Sequence, residues 1–272
     1  MSIRRVTILG CGSSGGVPRV DGDWGACDPD EPRNRRTRCS LLIEQWRTDP
    51  GAGEPTTVLI DTSPDLRQQL LNARVRRIDA IVYSHDHHAD QAHGIDDVRA
   101  IAYTMRRRIP TFMDPATQHS LETRFRYIFH GEGGYPPILE PQAPMSPGMA
   151  ITVDGPGGAI ELLPLDQDHG HIRSLGFRIG GVAYSNDTAG LPPETFAALE
   201  GLELWIVDAL RRTPHPSHAH LERTLGWIET LRPGRTVLTN MHIDMDYATL
   251  RAELPTGVEP AHDGWRSDFI II

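Results

Sequence analysis

Residues 81–99 read I-V-Y-S-H-D-H-H-A-D-Q-A-H-G-I-D-D-V-R, an apolar run that ends in a cluster of imidazoles and carboxylates. Ile78 and residues 80–83 have the continuous hydrophobicity of a short buried strand. His85, His87, His88, Asp90, Gln91 and His93 follow it within nine residues that hold four His and two Asp. One or two His in a polar loop would carry no message. This density directly after a strand points to a metal site, because imidazole and carboxylate are the usual ligands of zinc, manganese and iron.

Working outward, the N-terminal side opens with a strand at Val6–Leu9. It runs into G-C-G-S-S-G-G-V-P at 10–18, a loop suited to close backbone approach, either by tight packing or by lining a site. It lacks the Lys and Ser/Thr of a P-loop. Residues 21–38 are polar and Arg-rich and read as a surface loop. Cys39–Glu44 and Thr57–Asp61 read as hairpin-related strands around the turn at 49–55. Ser63-Pro64-Asp65 starts a helix to about Asn72.

On the C-terminal side, 96–108 and 118–129 read as helices, with Pro110–Met113 a strand between them. The arginines at 106–108, 124 and 126 are either a solvated helix face or a phosphate contact. A Gly/Pro-rich connection at 130–158 divides two strand-rich halves. In the second half one arrangement recurs: an apolar strand, then a ligand-type residue. Residues 159–165 lead to Asp166, Asp168, His169 and His171. Residues 177–184 lead to Asp187, and 204–207 lead to Asp208 with His215, His218 and His220 beyond. Residues 236–240 lead to His242. Helices fall at 193–200 and 220–231. Strand C-terminal ends are where sites assemble in such sheets.

Composition excludes other classes. The 272 residues carry a net charge of −9, which argues against a large nucleic-acid footprint. All 27 basic residues are Arg, and no function is read from that. No apolar run reaches membrane-spanning length and residues 1–10 lack a signal peptide's apolar region, so a cytoplasmic protein is expected. The three cysteines, Cys11, Cys27 and Cys39, fit a reducing compartment better than a disulfide framework.

These motifs resemble the metallo-β-lactamase superfamily, whose signature is H-x-H-x-D-H after a strand, then a His, an Asp and a last His at later strand ends. Within it the chain is most similar to the cyclic phosphodiesterases of phosphonate degradation. The shared stretches are G-C-G-S-S-G-G-V-P, H-G-I-D-D-V-R, S-N-D-T-A-G-L-P around Asp187 and H-P-S-H-A-H-L around His218. The resemblance implies an α+β fold: one domain over 1–272, a four-layer αβ/βα sandwich with two mixed β-sheets flanked by helices.

It further implies two divalent metal ions, zinc or manganese, with iron also compatible. His85, a second motif His and His169 would hold the first, Asp90 and His242 the second, with Asp187 bridging. Counting H-x-H from His85 selects His87, whereas counting H-x-D back from Asp90 selects His88; the fixed strand exit favours His87. Gln91 stands where the family has its last motif His. A neutral amide oxygen is a harder, weaker ligand, which suits manganese or iron or leaves that position poorly filled. Some relatives hold a structural zinc on cysteines of the N-terminal loop; with Cys27 alone there, none is expected.

The implied reaction is hydrolysis of small cyclic or nucleotide-like phosphodiesters, of the phosphoribosyl cyclic phosphate type, by a metal-bridging hydroxide. Asp90 and Asp187 would shape that centre. His218 would protonate the leaving oxygen, with His220 as its fallback; otherwise His215 and His220 would sit at the surface or just behind the residues that touch metal and substrate. The expected partner is a small phosphodiester rather than nucleic acid or membrane, and a homodimer is left open. Two other readings remain: an RNA-processing nuclease resembling tRNase Z, which precursor-tRNA cleavage would reveal, and a metal-binding scaffold or sensor without turnover.

Overall fold

A computed structural model describes residues 2–86 and 90–271 of the chain. Chain order gives six strands that assemble side by side: β1 (Ser2–Gly10), β2 (Ser40–Trp46), β3 (Thr56–Ile60), β4 (Ala80–Val82), β5 (Ile109–Phe112) and β6 (Leu139–Pro141). A second set follows: β7 (Ile151–Val153), β8 (Ile160–His169), β9 (Ile172–Ile179), β10 (Val182–Ser185), β11 (Leu204–Asp208), β12 (Arg235–Thr239) and β13 (Val258–Pro260). The last strand, β14 (Arg266–Ile271), returns to the first sheet, whose order is 14-1-2-3-4-5-6; the second is 13-12-11-10-9-8-7.

Both sheets are mixed in the same way. In the first, β14 to β3 pair antiparallel and β3 to β6 parallel. In the second, β7 to β10 pair antiparallel and β10 to β13 parallel. Parallel strands end together, so β3, β4 and β5 on one side and β10, β11 and β12 on the other present their C-terminal loops as two edges.

The sequence builds the layers by simple alternation. Val6, Ile8, Leu41, Ile43, Val58, Ile60 and Val82 pack into the core shared with Leu162, Phe177 and Val207 of the second sheet. Their neighbours Leu9, Leu42, Leu59 and Ile81 face the opposite way, into a cluster with Leu66, Leu70, Ala102, Leu121 and Ile128. Those belong to α1 (Leu66–Ala73), α2 (Arg99–Met105), α3 (Pro115–Arg124) and α4 (Arg126–His130). With both faces buried, the strands read as unbroken apolar runs rather than as polar–apolar alternation. The second sheet is covered by α5 (Pro193–Ala198), α6 (Leu221–Leu231) and α7 (Tyr247–Glu253), through Leu221, Leu225, Ile228 and Leu250. The architecture is the expected α+β sandwich of two mixed sheets flanked by helices.

Several local expectations change. The helix expected over 118–129 is two helices that break at Phe125, which takes φ −121°. Residues 96–108 divide into a 3-10 turn at Ile95–Val98 and α2, which Arg106 ends in the left-handed region. Residues 177–184 span two strands, because Gly180-Gly181 turn the chain between β9 and β10. The strand expected to stop at Leu165 continues to His169. Asp166 and Asp168 stay in the ladder because Arg173 of β9 pairs with both of them. No helix among the described residues is long and apolar enough to cross a membrane.

Candidate metal centre and active site

Three of the loops at the paired edges begin with an Asp or Asn in the left-handed backbone region. Asp61 follows β3 with φ 61°, Asp187 follows β10 with φ 51°, and Asn240 follows β12 with φ 61°. Most side chains pay roughly 1–2 kcal/mol for that conformation, and Asp and Asn visit it most readily. Each turns the chain sharply out of the sheet, and the polar side chain stays buried where the strand stops.

One cavity of about 900 Å³ opens at these edges, and His85, Asp90, His169, Asp187, His218 and His242 all line it. The expectations at His87 and His88 lie outside the described residues. The rings adjoin in a chain, the first two contacts edge to face: His85 to His169 at 5.0 Å between centroids, His169 to His218 at 4.7 Å, and His218 to His215 at 5.1 Å. Ligand-type atoms of His169, Asp187 and His218 lie within 4.8 Å of one another. His215 lines the cavity wall behind His218. His220 is the N-cap of α6 and lies outside the lining. Of the arginines weighed as phosphate contacts, Arg107 pairs with Asp79, Arg108 donates to the Leu139 carbonyl and Arg124 pairs with Asp86. They brace the fold.

Hydrogen bonds fix which nitrogen each imidazole offers. The Ser84 hydroxyl donates to Asp61 Oδ2 at 2.8 Å, so its oxygen accepts from His85 Nδ1 at 2.9 Å. His169 Nδ1 donates to the Ser217 carbonyl at 2.7 Å. In both rings the lone pair is left on Nε2, the second-sphere arrangement that orients metal-binding histidines. His242 Nδ1 lies 3.2 Å from Asp244 Oδ1, which selects Nε2 there as well.

Asp187 is held by three amides. Gln91 Nε2 donates to Oδ2 at 2.8 Å, Asn186 Nδ2 donates to the same oxygen, and Asn240 Nδ2 donates to Oδ1 at 3.1 Å. Gln91 Nε2 also lies 3.4 Å from Asp90 Oδ2. Two carboxylates against one end of the amide make that end the NH₂ and leave Oε1 as the opposite pole.

Electrostatically the site holds more buried negative charge than its own cations offset. Burial pushes Asp187 well above the usual carboxylate range; His218 pulls it back, and Asp90, Asp208 and Asp61 push it further. Burial likewise raises Asp208, against His218, and lifts Asp61 to about 7 against the Ser84 hydrogen bonds. Burial opposes the charge on His218. Asp208, 2.9 Å from its Nδ1, together with Asp187 and Asp90, outweighs that and carries the imidazolium up to about 9.

A divalent cation suits this set. Gln91 Oε1, Asn186 Oδ1 and Asp208 Oδ1 are buried acceptors without a hydrogen-bond donor among the described residues. Imidazoles of His85, His169 and His242 and carboxylates of Asp90 and Asp187, all lining one cavity, are the donor mixture that zinc, manganese and iron take. Sequence reasoning missed Asp61, Asp208 as the partner of His218, Asn240, and Arg19, whose Nη2 lies 2.5 Å from His242 Nε2. For the first three the usable signal was an Asp or Asn at the end of an apolar run; nothing local marks Arg19.

The profile of the β-lactamase superfamily domain matches residues 56–243. Among solved structures, a diphosphatase from the PhnP family superposes with TM-score 0.86 at 33% identity, over 99% of this chain and 98% of that one. Zinc-bound PqqB from Methylobacterium extorquens superposes with TM-score 0.71 at 18% identity, over 97% of this chain and 100% of that one, a likeness of fold. An octanoyltransferase of Porphyromonas gingivalis is 32% identical over 267 residues, 96% of this chain, which spans 50% of that protein's length.

Proposed function

The chain belongs to the metallo-β-lactamase superfamily, as a hydrolase of its PhnP-like branch, and from that premise we propose that it is a metal-dependent phosphodiesterase acting on small cyclic or nucleotide-like phosphodiesters. The observation that carries the reading is His218 on the wall of the cavity, backed by buried Asp208, ring to ring with His169 and beside Asp187. An imidazolium poised next to a cluster of metal-type ligands is what cleavage of a P–O bond to a poor leaving group needs.

His85, His169 and Asp187 would hold a first divalent ion. Asp90, Asp187 and His242 would hold a second. Such ions supply Lewis acidity toward phosphoryl oxygens and lower the pKa of water. The chain's own residues do the rest. Asn186, Gln91 and Asn240 stop the Asp187 carboxylate from rotating, and Ser84 and Ser217 set the His85 and His169 rings. Asp208 accepts from His218 Nδ1, so the other ring nitrogen carries the proton offered to the leaving oxygen.

Purified without chelator, the protein is expected to carry one to two divalent ions per chain and to hydrolyse bis-p-nitrophenyl phosphate. His169→Ala should lose metal and activity together. His218→Ala should keep its metal and lose about 10²–10⁴-fold in kcat on alkyl diesters, with a smaller loss on p-nitrophenyl esters. Full metal without turnover of any diester would leave only the scaffold reading; an equal loss on both ester classes would reject His218 as the acid.

A further inference from the structure

We propose that Arg19 is a specificity-determining residue that binds a second phosphate carried by the substrate, away from the reacting phosphorus. The proposal rests on the phosphodiesterase reading for its substrate, and on the geometry of one side chain for its content.

The cavity holds about 900 Å³. Cavities of roughly 300–1,000 Å³ enclose a drug-sized ligand, so most of the space serves groups other than the reacting phosphate. Ser13, Ser14, Gly15 and Arg19 form part of its wall, from the glycine-rich loop after β1. The main chain there is pinned. Val17 and Arg36 exchange two backbone hydrogen bonds of 2.9 Å; Arg19 N donates to the Asp23 carbonyl and Gly22 N to the Arg19 carbonyl, each at 2.9 Å. Gly12 has the Arg36 carbonyl 2.9 Å from where a Cβ would sit, which fixes the loop against residues 36–38.

The side chain is the opposite case. Its Nη1 is 3.7 Å from Asp23 Oδ2, beyond hydrogen-bond distance, and it is 42% exposed. Among the described residues its only hydrogen-bond partner is His242 Nε2. That nitrogen is also the one with which His242 would serve a cation, because Nδ1 faces Asp244. One lone pair cannot do both. A metal on His242 releases the guanidinium, on a long flexible stem, into the cavity beside the reaction centre. A planar fork of five donors matches a phosphate in two-point contact. Arg211, also on the wall, is not equivalent: its Nε and Nη2 donate to the Thr213 and Pro214 carbonyls at 3.1 and 2.6 Å, which holds it to its own loop.

The test is calorimetric binding of thymidine 3′,5′-bisphosphate and thymidine 5′-monophosphate to the full-length, manganese-loaded protein, with metal content measured in parallel. Wild type should bind the bisphosphate about 10- to 100-fold more tightly, the range of charge-assisted hydrogen bonds. Arg19→Ala should bring the two within about 2-fold while keeping its manganese, and Arg19→Lys should recover part of the preference. Equal binding of both nucleotides by wild type, including no binding of either, overturns the proposal. So does an unchanged preference in Arg19→Ala, and so does loss of manganese from that variant, which would make Arg19 a support for His242. Turnover of bis-p-nitrophenyl phosphate is scored separately. Its absence alongside an Arg19-dependent preference would sink the phosphodiesterase reading and leave the anion site standing.

Discussion

Asp208 is a buried carboxylate whose place is explained by the imidazole it faces. It is fully buried, burial raises its carboxyl, and Oδ1 has no donor among the described residues. What it provides is an acceptor for His218 Nδ1 at 2.9 Å and for the Thr188 amide at 3.0 Å. Asp208→Asn keeps the shape and removes the charge. It should lower the melting temperature at neutral pH, since the His218 imidazolium loses the counter-charge 2.9 Å away. Activity on alkyl diesters should fall by up to about 10²–10⁴-fold, because an amide can force the wrong tautomer on the imidazole. A variant with unchanged kinetics would show that His218 is oriented by something else. Asp263 offers a pH test away from the site. It accepts from Thr37 N at 2.8 Å and Oγ1 at 2.6 Å, and from Cys11 N at 3.2 Å. Burial nevertheless wins and lifts its carboxyl from 3.8 to about 6. A raised acid binds protons more tightly when folded, so its contribution is complete below pH 4 and disappears as pH rises through 6. Denaturation measured across pH 4–7 should therefore show a steeper loss of stability in wild type than in Asp263→Asn.

At the scale of elements, the segment after β4 is sewn to the loop after β3. Thr62 N donates to the Gln91 carbonyl and Gly94 N to the Thr62 carbonyl, each at 2.9 Å. A Cβ at Gly94 would strike the Ser63 carbonyl oxygen and sit 2.7 Å from Leu66 Cβ. Gly94→Ala should thus push away the stretch that carries Asp90 and Gln91. Metal content should fall toward one ion before the fold itself is lost on heating; parallel loss of both metals at the melting temperature would contradict this. These elements were unequally legible. β1, β2 and β3 could be read because burial on both faces left mostly apolar stretches within them, at Val6–Leu9, Leu41–Ile43 and Val58–Ile60. β8 was cut short at Leu165, since nothing local says that Arg173 will neutralise Asp166 and Asp168. β6, β7 and β13 have three residues each and no pattern to read. β14 does alternate, half exposed, but pairs with a strand at the other end of the chain, as Arg5 with Asp268, 263 residues apart.

For the whole molecule, the ligand types were legible and their assembly was not. The order of His85, Asp90, His169, Asp187 and His242 along the chain announces chemistry because each follows an apolar run. Which atoms meet depends on two sheets presenting their parallel edges to one cavity, and no window of sequence holds that. The His218–Asp208 pair spans ten residues and a loop, and the Arg19–His242 contact spans 223.

The same architecture makes the two halves interlocked. Residues 2–141 supply six strands of the first sheet, yet its seventh, β14, comes from the far end of the other half. Six residue pairs join β14 to β1, from Ser2–Ile271 to Thr7–Arg266, with Arg5 and Asp268 2.7 Å apart. If the chain is cut in the exposed turn at 146–149, each piece lacks ligands and neither owns a closed core. Co-produced, the two pieces are expected to reassemble into a stoichiometric, metal-binding pair, because β14 works as a latch that threads one fragment into the sheet of the other. Removing 266–271 from the second fragment should abolish co-purification, although every candidate metal ligand would still be present in the mixture.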